Sequence, residues 1–378
     1  MTTRIVVLRG TAANPWDLRP WGDLGPAFDV TILVPPNNQY DLSGLAVPTA
    51  RIETVGGRLP RNRVGRLLKR AIGERYLALK GHLEGADVVH AAELGYWFTA
   101  QAARLRAGLG FRLAVTVWET LPFALSYRNL RTRPYREAVL EATDLFLPAT
   151  ERARAALLLE GTQPEKIEVA PPGVDVDRFA AARSDASRDG GYLLLSIGRL
   201  VWEKGHQDVI RALALLRRRV GEPLRLLIIG VGREEQRLRA VAGDLGVADL
   251  VEFRGWVPND ELPALYARAS CLVLASLPTP YWEEQFGMVL VEAMASQTAI
   301  LAADSGAIPE VLGGSGTLFG AGDYVGLADR LESDVLSRAP AARVAPEPER
   351  LQRYSAAAAA ERLRAAYERL LSTPPPGR

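Results

Sequence analysis

The 378-residue chain has one cysteine, three histidines and three methionines. A single thiol forms no internal disulfide, and so little His and Cys leaves no zinc-type cluster standing out. Cys271 sits in the apolar run Ala-Ser-Cys-Leu-Val-Leu-Ala and reads as a small core residue. Lysine is scarce: of 46 basic residues only Lys69, Lys80, Lys166 and Lys204 are lysines. The arginine bias, beside much Ala and Gly, points to the base composition of a gene more than to a function. Neither charge sign dominates, and a formal net charge of +2 argues against a general affinity for nucleic acid. No apolar run reaches the length of a membrane span. The opening Met-Thr-Thr-Arg-Ile-Val-Val-Leu-Arg enters a strand pattern at once, without the pattern of a signal peptide. These absences lead us to expect a cytoplasmic protein.

What is present is an alternation. Hydrophobic residues make up 48% of the chain, enough for two cores at this length. Short apolar runs alternate with helical patterns, which predicts an α/β architecture with parallel sheets. The first half offers strands over Arg4–Leu8, Asp29–Val34, Ala86–His90, Leu113–Val117, Leu145–Leu147 and Ile167–Val169. The second offers Tyr192–Ile197, Leu224–Ile229, Leu250–Phe253, Cys271–Leu274, Ala299–Ala302 and Gly316–Phe319. Pro, Gly, Ser and charge from Ala170 to Gly191 mark the boundary between the two series. The stretch Gly10–Pro26, with Pro15, Trp16, Pro20, Trp21 and Pro26, reads as a long irregular loop after the first strand, a candidate substrate wall. Ser355–Leu371 reads as a strong helix and Pro374–Arg378 as a disordered tail.

Arg58–Arg70 carries Arg58, Arg61, Arg63, Arg66, Lys69 and Arg70 without an acid, with Val64, Leu67, Leu68 and Ala71 at helical spacing. A solvated basic helix face accounts for it. So does a surface for anionic lipid or a phosphate-bearing acceptor, which makes peripheral contact with the inner membrane face a further expectation.

The stretch Trp282–Ser296 carries two notable carboxylates. Glu292 lies in an apolar run with no partner at helical spacing, so if buried it needs a hydrogen-bonding partner from elsewhere. Glu284 precedes Phe286-Gly287, where a helix would begin and present free N–H groups to a phosphate. An ordinary amphipathic helix with Glu292 in solvent fits the stretch equally well. Two strand-end turns read as phosphate cradles. Ser196-Ile-Gly-Arg-Leu200 and Glu203-Lys-Gly205 hold Arg199 and Lys204, a fork and a point charge suited to a diphosphate. Ile229-Gly-Val-Gly232 offers small residues for ligand approach but lacks the third glycine of a dinucleotide fingerprint. Gly255-Trp-Val-Pro258 presents an indole or backbone amides to a nucleobase, or packs Trp256 in the core. Asp175-Val-Asp177 looks like a metal-holding pair but follows a Pro-Pro-Gly turn and reads as turn chemistry.

Gly198-Arg199 with Lys204, Gly230-x-Gly232, Gly255-Trp-Val-Pro258, Glu284-x-Phe-Gly287, Glu292-Ala-Met-Ala295 and Ser305-Gly306 through Glu310 occur in that order. Together they resemble the nucleotide-sugar half of retaining glycosyltransferases of family 4. The resemblance is strong over Tyr192–Leu331, fair over Asp144–Phe179 and weak before Asp144. It implies the GT-B fold: two Rossmann-like domains, parallel sheets facing an interdomain cleft, and a C-terminal helix crossing back to the first domain. It places an acceptor domain over 1–172, rejoined by a helix over 355–372, a hinge over 173–190 and a donor domain over 191–350.

The implied activity is metal-independent transfer of a hexose-type sugar from a UDP- or GDP-linked donor to a glycan, lipid-linked or small-molecule acceptor, with no cofactor. The resemblance assigns Arg199 and Lys204 to the leaving diphosphate and Glu284 to the transferred sugar. It assigns Phe286, Gly287, Met288 and Val289 to the phosphates, Glu292 to the ribose, and Trp256 and Val257 to the base. Gly198, Gly230 and Gly232 would line the donor. The first half departs from the pattern. Gly10-Thr-Ala-Ala-Asn-Pro-Trp16 replaces a glycine-rich loop, and Trp118 or Glu119 stands where many members have histidine. Thr11, Trp16, His90, Trp118 and Glu119 are the acceptor-side candidates, with packing or structural roles equally open for His90 and Glu119. Ser296-Gln-Thr replaces the usual Gly-x-Pro. Rival readings are another GT-B enzyme, such as a sugar-nucleotide epimerase or a phosphorylase, or a non-catalytic sugar-nucleotide or glycan-binding protein.

Overall fold

The fold comes from a computed structural model that describes residues 2–60, 62–72, 74–124, 132–182, 191–219, 221 and 223–372. The tail Pro374–Arg378 and hinge positions 183–190 lie outside the described residues. The chain divides into two compact units, Met1–Gly173 with Ser355–Arg378, and Val174–Tyr354.

The first unit contains β1 (Thr3–Leu8), β2 (Phe28–Val34), β3 (Thr49–Arg51), β4 (Val88–Ala92), β5 (Arg112–Val117) and β6 (Leu145–Pro148). They form one parallel sheet in the order β3-β2-β1-β4-β5-β6. Ile5, Val6, Val7 and Leu8 of β1 are buried on both faces, as a parallel sheet covered by helices requires. Alternate residues of β1 enter two separate cores, Val6 and Leu8 in one, Ile5 and Val7 in the other.

The second unit contains β7 (Tyr192–Ile197), β8 (Leu224–Ile229), β9 (Val251–Arg254), β10 (Cys271–Leu274), β11 (Ala299–Asp304) and β12 (Thr317–Gly320). Their order is β9-β8-β7-β10-β11-β12, again parallel. Each sheet therefore winds outward in both directions from its first strand. Such sheets bind ligands outside the carboxyl ends of the strands where the winding reverses. In the first unit that point lies between β1 and β4, and in the second between β7 and β10. Cys271 is buried in the second core, as its apolar run predicts.

Four expectations change. The strand over Ile167–Val169 is a single parallel bridge from Phe146 to Ile167, cut short by the turn Pro164–Lys166 before it and Pro171-Pro172 after it. β3 was not expected, because its three residues have no apolar pattern and lie at the sheet edge. The irregular loop over Gly10–Pro26 contains the helix Pro15–Gly22. Asn14 caps it by accepting from the Asp17 N–H, and Pro15 at the first position already has a helical φ. Val176–Ala181, within the expected hinge, is a helix capped by the Asp175 carboxylate, so Asp175-Val-Asp177 is indeed turn chemistry.

The basic stretch forms the helix Arg63–Ile72. Val64, Leu67 and Leu68 are exposed on it, by 59%, 57% and 42%, so this apolar stripe does not enter a core. Arg61 and the side chains of Arg66, Lys69, Arg70 and Ala71 lie outside the described residues. Among the described residues no helix is long and apolar enough to cross a membrane.

The last helix, Ala356–Ser372, belongs to the first unit and seals it. The buried Trp21 Nε1–H donates to the Tyr367 hydroxyl at 2.9 Å. That hydroxyl lies 2.5 Å from His90 Nδ1, and His90 Nε2 lies 2.7 Å from Thr116 Oγ1. One proton arrangement satisfies all four groups: Tyr367 donates to Nδ1 and the Nε2–H donates to Thr116. Tyr367→Phe leaves both a buried indole N–H and a buried ring nitrogen unpaired. It should lower stability by about 2–3 kcal/mol in urea unfolding.

Candidate functional site

In the second unit Arg199, Lys204 and Glu284 lie in the segments that follow β7 and β10. Gly198 and Arg199 follow β7, and Gly230 follows β8. Gly230 has φ +146°, and a Cβ there would lie 1.9 Å from the Gly198 carbonyl oxygen. A Cβ on Gly232 would lie 2.2 Å from the Leu200 carbonyl oxygen. The small size of these glycines lets the two strand-end loops pack against each other. Arg199 is exposed at the tip of its loop.

Lys204 and Glu284, expected at separate parts of a ligand, meet in the protein. Lys204 Nζ donates to Glu284 Oε2 at 2.6 Å and lies 4.8 Å from the centre of the Trp282 ring. Ser276, two residues beyond β10, donates its hydroxyl to the same carboxylate oxygen at 2.6 Å. Both side chains are largely buried, with 15% and 8% exposure. Desolvation of such a pair is offset only where hydrogen bonds are good, and the second donor supplies that. The Glu284 backbone is pinned as well. Its carbonyl accepts from the Ala307 N–H at 2.8 Å, and a Cβ on Gly306 (φ +56°) would lie 2.2 Å from that oxygen.

Glu292 lies on the helix Met288–Ala295, whose cap is Gly287 at φ +82°. Met288 and Val289 form its first turn, where N–H groups lack helical acceptors. Phe286 is buried edge-on against Tyr354, with ring centroids 5.3 Å apart. Glu292 is itself buried, and the Tyr266 hydroxyl donates to its Oε2 at 2.7 Å. The partner that a buried carboxylate requires thus comes from the helix Leu262–Arg268 of the same unit. Burial, then the Glu292 charge, pushes the Tyr266 hydroxyl well above its ordinary pKa, so it stays a donor. Trp256 is 61% exposed, which rules out the core-packing reading, while Val257 is buried.

His206, the residue after Lys204-Gly205, has no pattern in the sequence that marks it. Its Nδ1 lies 2.8 Å from Ser196 Oγ, and burial lowers its pKa to about 4, with the Lys204 cation acting the same way. It is a neutral, fixed ring beneath the loop that carries Arg199. Ser276 and Tyr266 were also missed, since a lone hydroxyl among apolar neighbours carries no pattern. Among the described residues no group of three or more His, Cys, Asp or Glu is placed to hold a metal ion.

The acceptor-side candidates all belong to the first unit. His90 is fully buried with both ring nitrogens engaged, so it is a core residue and does not face a ligand. Thr11 is half-buried and its carbonyl accepts from the Gln39 N–H. Trp16 meets Tyr40 edge-on at 6.0 Å. Glu119 Oε1 accepts from the Thr120 and Leu121 N–H groups and so folds its own loop. Trp118 lines a cavity with Arg9 and Trp21. Glu93, directly after β4, was not foreseen. It is buried at φ +62°, and its Oε1 accepts from the Trp118 N–H at 2.7 Å. Burial, reinforced by the Glu119 charge, raises its pKa to about 8.

Two family profiles match the chain: "Glycosyltransferase Family 4" over residues 26–178 and "Glycosyl transferases group 1" over 177–355. The D-inositol 3-phosphate glycosyltransferase of Nocardia farcinica is 34% identical over 210 residues. That match covers 52% of this chain and 46% of the relative, about half of its length. The protein of that name from Corynebacterium jeikeium is 30% identical over 321 residues, covering 77% of this chain and 73% of its own. Among solved structures, Anabaena HepE in complex with UDP superposes with a TM-score of 0.75 at 16% identity, covering 97% of this chain and all of that one. The likeness to HepE is one of fold.

Two outcomes follow from the geometry. Lys204→Ala and Glu284→Ala should each cost about 3 kcal/mol, because each strands a buried charge. The double variant should cost less than the sum by at least about 1 kcal/mol in a urea-unfolding cycle. For Glu93, the unfolded carboxyl ionises above its ordinary pKa of 4.5, whereas the folded one keeps its proton to about 8. The folded state therefore binds more protons in that window, and stability falls as pH rises through it, by at most about 1.4 kcal/mol per pH unit. Glu93→Gln, which is permanently neutral, should flatten that slope and exceed the wild type in stability near pH 8.

Proposed function

We propose, from the premise that the chain belongs to the family 4 glycosyltransferases and carries their group 1 unit, that it transfers a hexose-type sugar. The donor in this reading is a uridine or guanosine diphosphate sugar held by the second unit. The acceptor is a hydroxyl of a glycan, a lipid-linked sugar or a small molecule held by the first. The observation that carries the reading is the Lys204–Glu284 pair at the winding reversal of the second sheet, beside a helix start and an exposed arginine.

Arg199 and Lys204 neutralise the charge that develops on the departing diphosphate. The N–H groups of Phe286, Gly287, Met288 and Val289 meet the same phosphates. Glu284 Oε2 is occupied by Lys204 and Ser276, which leaves Oε1 for a hydroxyl of the transferred sugar. Glu292, oriented by Tyr266, takes the ribose hydroxyls, and Trp256 with the Val257 backbone faces the base. The bond from the anomeric carbon to the diphosphate breaks as the bond to the acceptor oxygen forms on the same face. The acceptor proton passes to the leaving phosphate oxygen, so the configuration is retained without a protein nucleophile. With two cations and a helix terminus on the diphosphate, this reading needs no metal. The exposed Val64, Leu67 and Leu68 among arginines support a lipid surface as a partner of the helix Arg63–Ile72.

The test is release of free nucleoside diphosphate from UDP- and GDP-hexoses across an acceptor panel. Release that depends on acceptor supports the transferase, and binding of the donor with no release for any acceptor supports the binding-only reading. Arg199→Ala should reduce kcat/KM at least about tenfold, a loss of about 1.4 kcal/mol. Unchanged kinetics in that variant would remove Arg199 from the diphosphate site.

A further inference from the structure

Lys204 and Glu284 satisfy each other, and this sets a condition on any anion that binds beside them. Among the described residues the hydrogen-bond partner of Lys204 Nζ is Glu284 Oε2, at 2.6 Å, with the Trp282 ring centre 4.8 Å away. The same carboxylate oxygen takes the Ser276 hydroxyl, also at 2.6 Å. Both charged side chains are largely withdrawn from water, at 15% and 8% exposure. A phosphate that draws the ammonium away leaves Glu284 with a single neutral donor. A carboxylate stripped of its counter-ion in such a place is costly, so the two anions compete for one cation.

The backbone around the pair is locked, which confines the competition to the lysine side chain. The Leu277 N–H donates to the Glu203 carbonyl at 2.8 Å. A Cβ on Gly205, at φ +68°, would lie 1.8 Å from the Ala275 carbonyl oxygen. The turn Trp202–Lys204 is thus fixed on the segment that carries Ser276. The Glu284 carbonyl is held by the Ala307 N–H, and its carboxylate by Ser276. The Lys204 stem runs beside Gly198, where a Cβ would lie 3.5 Å from Lys204 Cδ. Gly198 precedes Arg199, so rotation about the terminal bonds of the stem can carry the ammonium from Glu284 toward the arginine loop without moving the backbone.

We propose that Glu284 competes with a diphosphate for the Lys204 ammonium, and so weakens the binding of a nucleoside diphosphate to this site. The inference rests on the reading of the second unit as the donor-holding half and adds a control on that site. The pair opens when a diphosphate takes the cation and closes again as the diphosphate leaves. The sign of the effect is the distinguishing mark. Altering a residue that only touches the transferred sugar leaves nucleoside diphosphate affinity unchanged, whereas removing a competitor raises it.

The test titrates the full chain with UDP and GDP by calorimetry. Glu284→Gln keeps the shape and an acceptor for Ser276 but removes the charge. It should bind the diphosphate at least about fivefold more tightly than the wild type. In a Lys204→Ala background, where there is no ammonium to contest, the same change should gain less than about twofold. In the wild type, isotope-labelled lysine gives four ammonium signals in NMR, one for each lysine of the chain. Lys69→Arg, Lys80→Arg and Lys166→Arg identify that of Lys204 by elimination, and saturating diphosphate should shift it. A folded Glu284→Gln protein with unchanged or weaker affinity overturns the proposal. So does a gain that persists in full without Lys204, which is plain repulsion between anions. A Lys204 signal unmoved by bound diphosphate overturns it even where the Glu284 variant misfolds. A wild type that binds neither UDP nor GDP ends the donor reading too, whereas binding that Glu284→Gln fails to tighten ends the competition alone.

Discussion

A parallel sheet must be covered on both faces, and one that winds in both directions from its first strand leaves its open edge where the winding reverses. Both units of this protein obey that constraint with the same strand order. Polar side chains withdrawn from the surface stand there, among them Arg9 and Glu93 beyond β1 and β4, and Lys204 and Ser276 beyond β7 and β10. The positions of Arg9 and Glu93 follow from topology, since the residue after a central strand is the first that can leave the core and still face it.

The two reversals are finished differently. In the second unit Lys204, Glu284 and Ser276 satisfy one another, with Glu284 fixed further by Gly306 and Ala307. A ligand there meets groups that are already oriented, which reduces the ordering cost of binding. In the first unit the polar groups are divided. His90, Trp21, Thr116 and Tyr367 close on themselves in the core, while Arg9 donates to the Leu8 and His90 carbonyls and feels the charge of Asp17 in the same cavity.

Much of this was legible in the sequence. The central strands β7, β10 and β11 of the second unit fall on apolar runs, because buried parallel strands have little that is polar to interrupt them. Glu292 declared itself by being charged among apolar neighbours, and that same argument demanded a partner. Which partner was not legible: Tyr266 is 26 positions away and Glu284 is 80 from Lys204, contacts made by the fold and not by any local spacing. His90 misled for the converse reason. A strand-end histidine looks available until Tyr367, from the far end of the chain, is seen to occupy it. The helix Pro15–Gly22 was hidden by its own prolines, which read as loop signals although Pro15 stands where a helix accepts proline.

The role of Tyr367 has a further consequence for how the chain is made. The first unit is discontinuous in sequence: its core takes Leu363, Ala366, Tyr367 and Leu370 from beyond the whole of the second unit. A ribosome therefore releases every residue of Val174–Tyr354 before it supplies the helix that completes the first unit. Domains fold as units during synthesis. The second unit can thus close first, although it is encoded later, while the first waits with Trp21 and His90 unpaired until the helix that carries Tyr367 has been made.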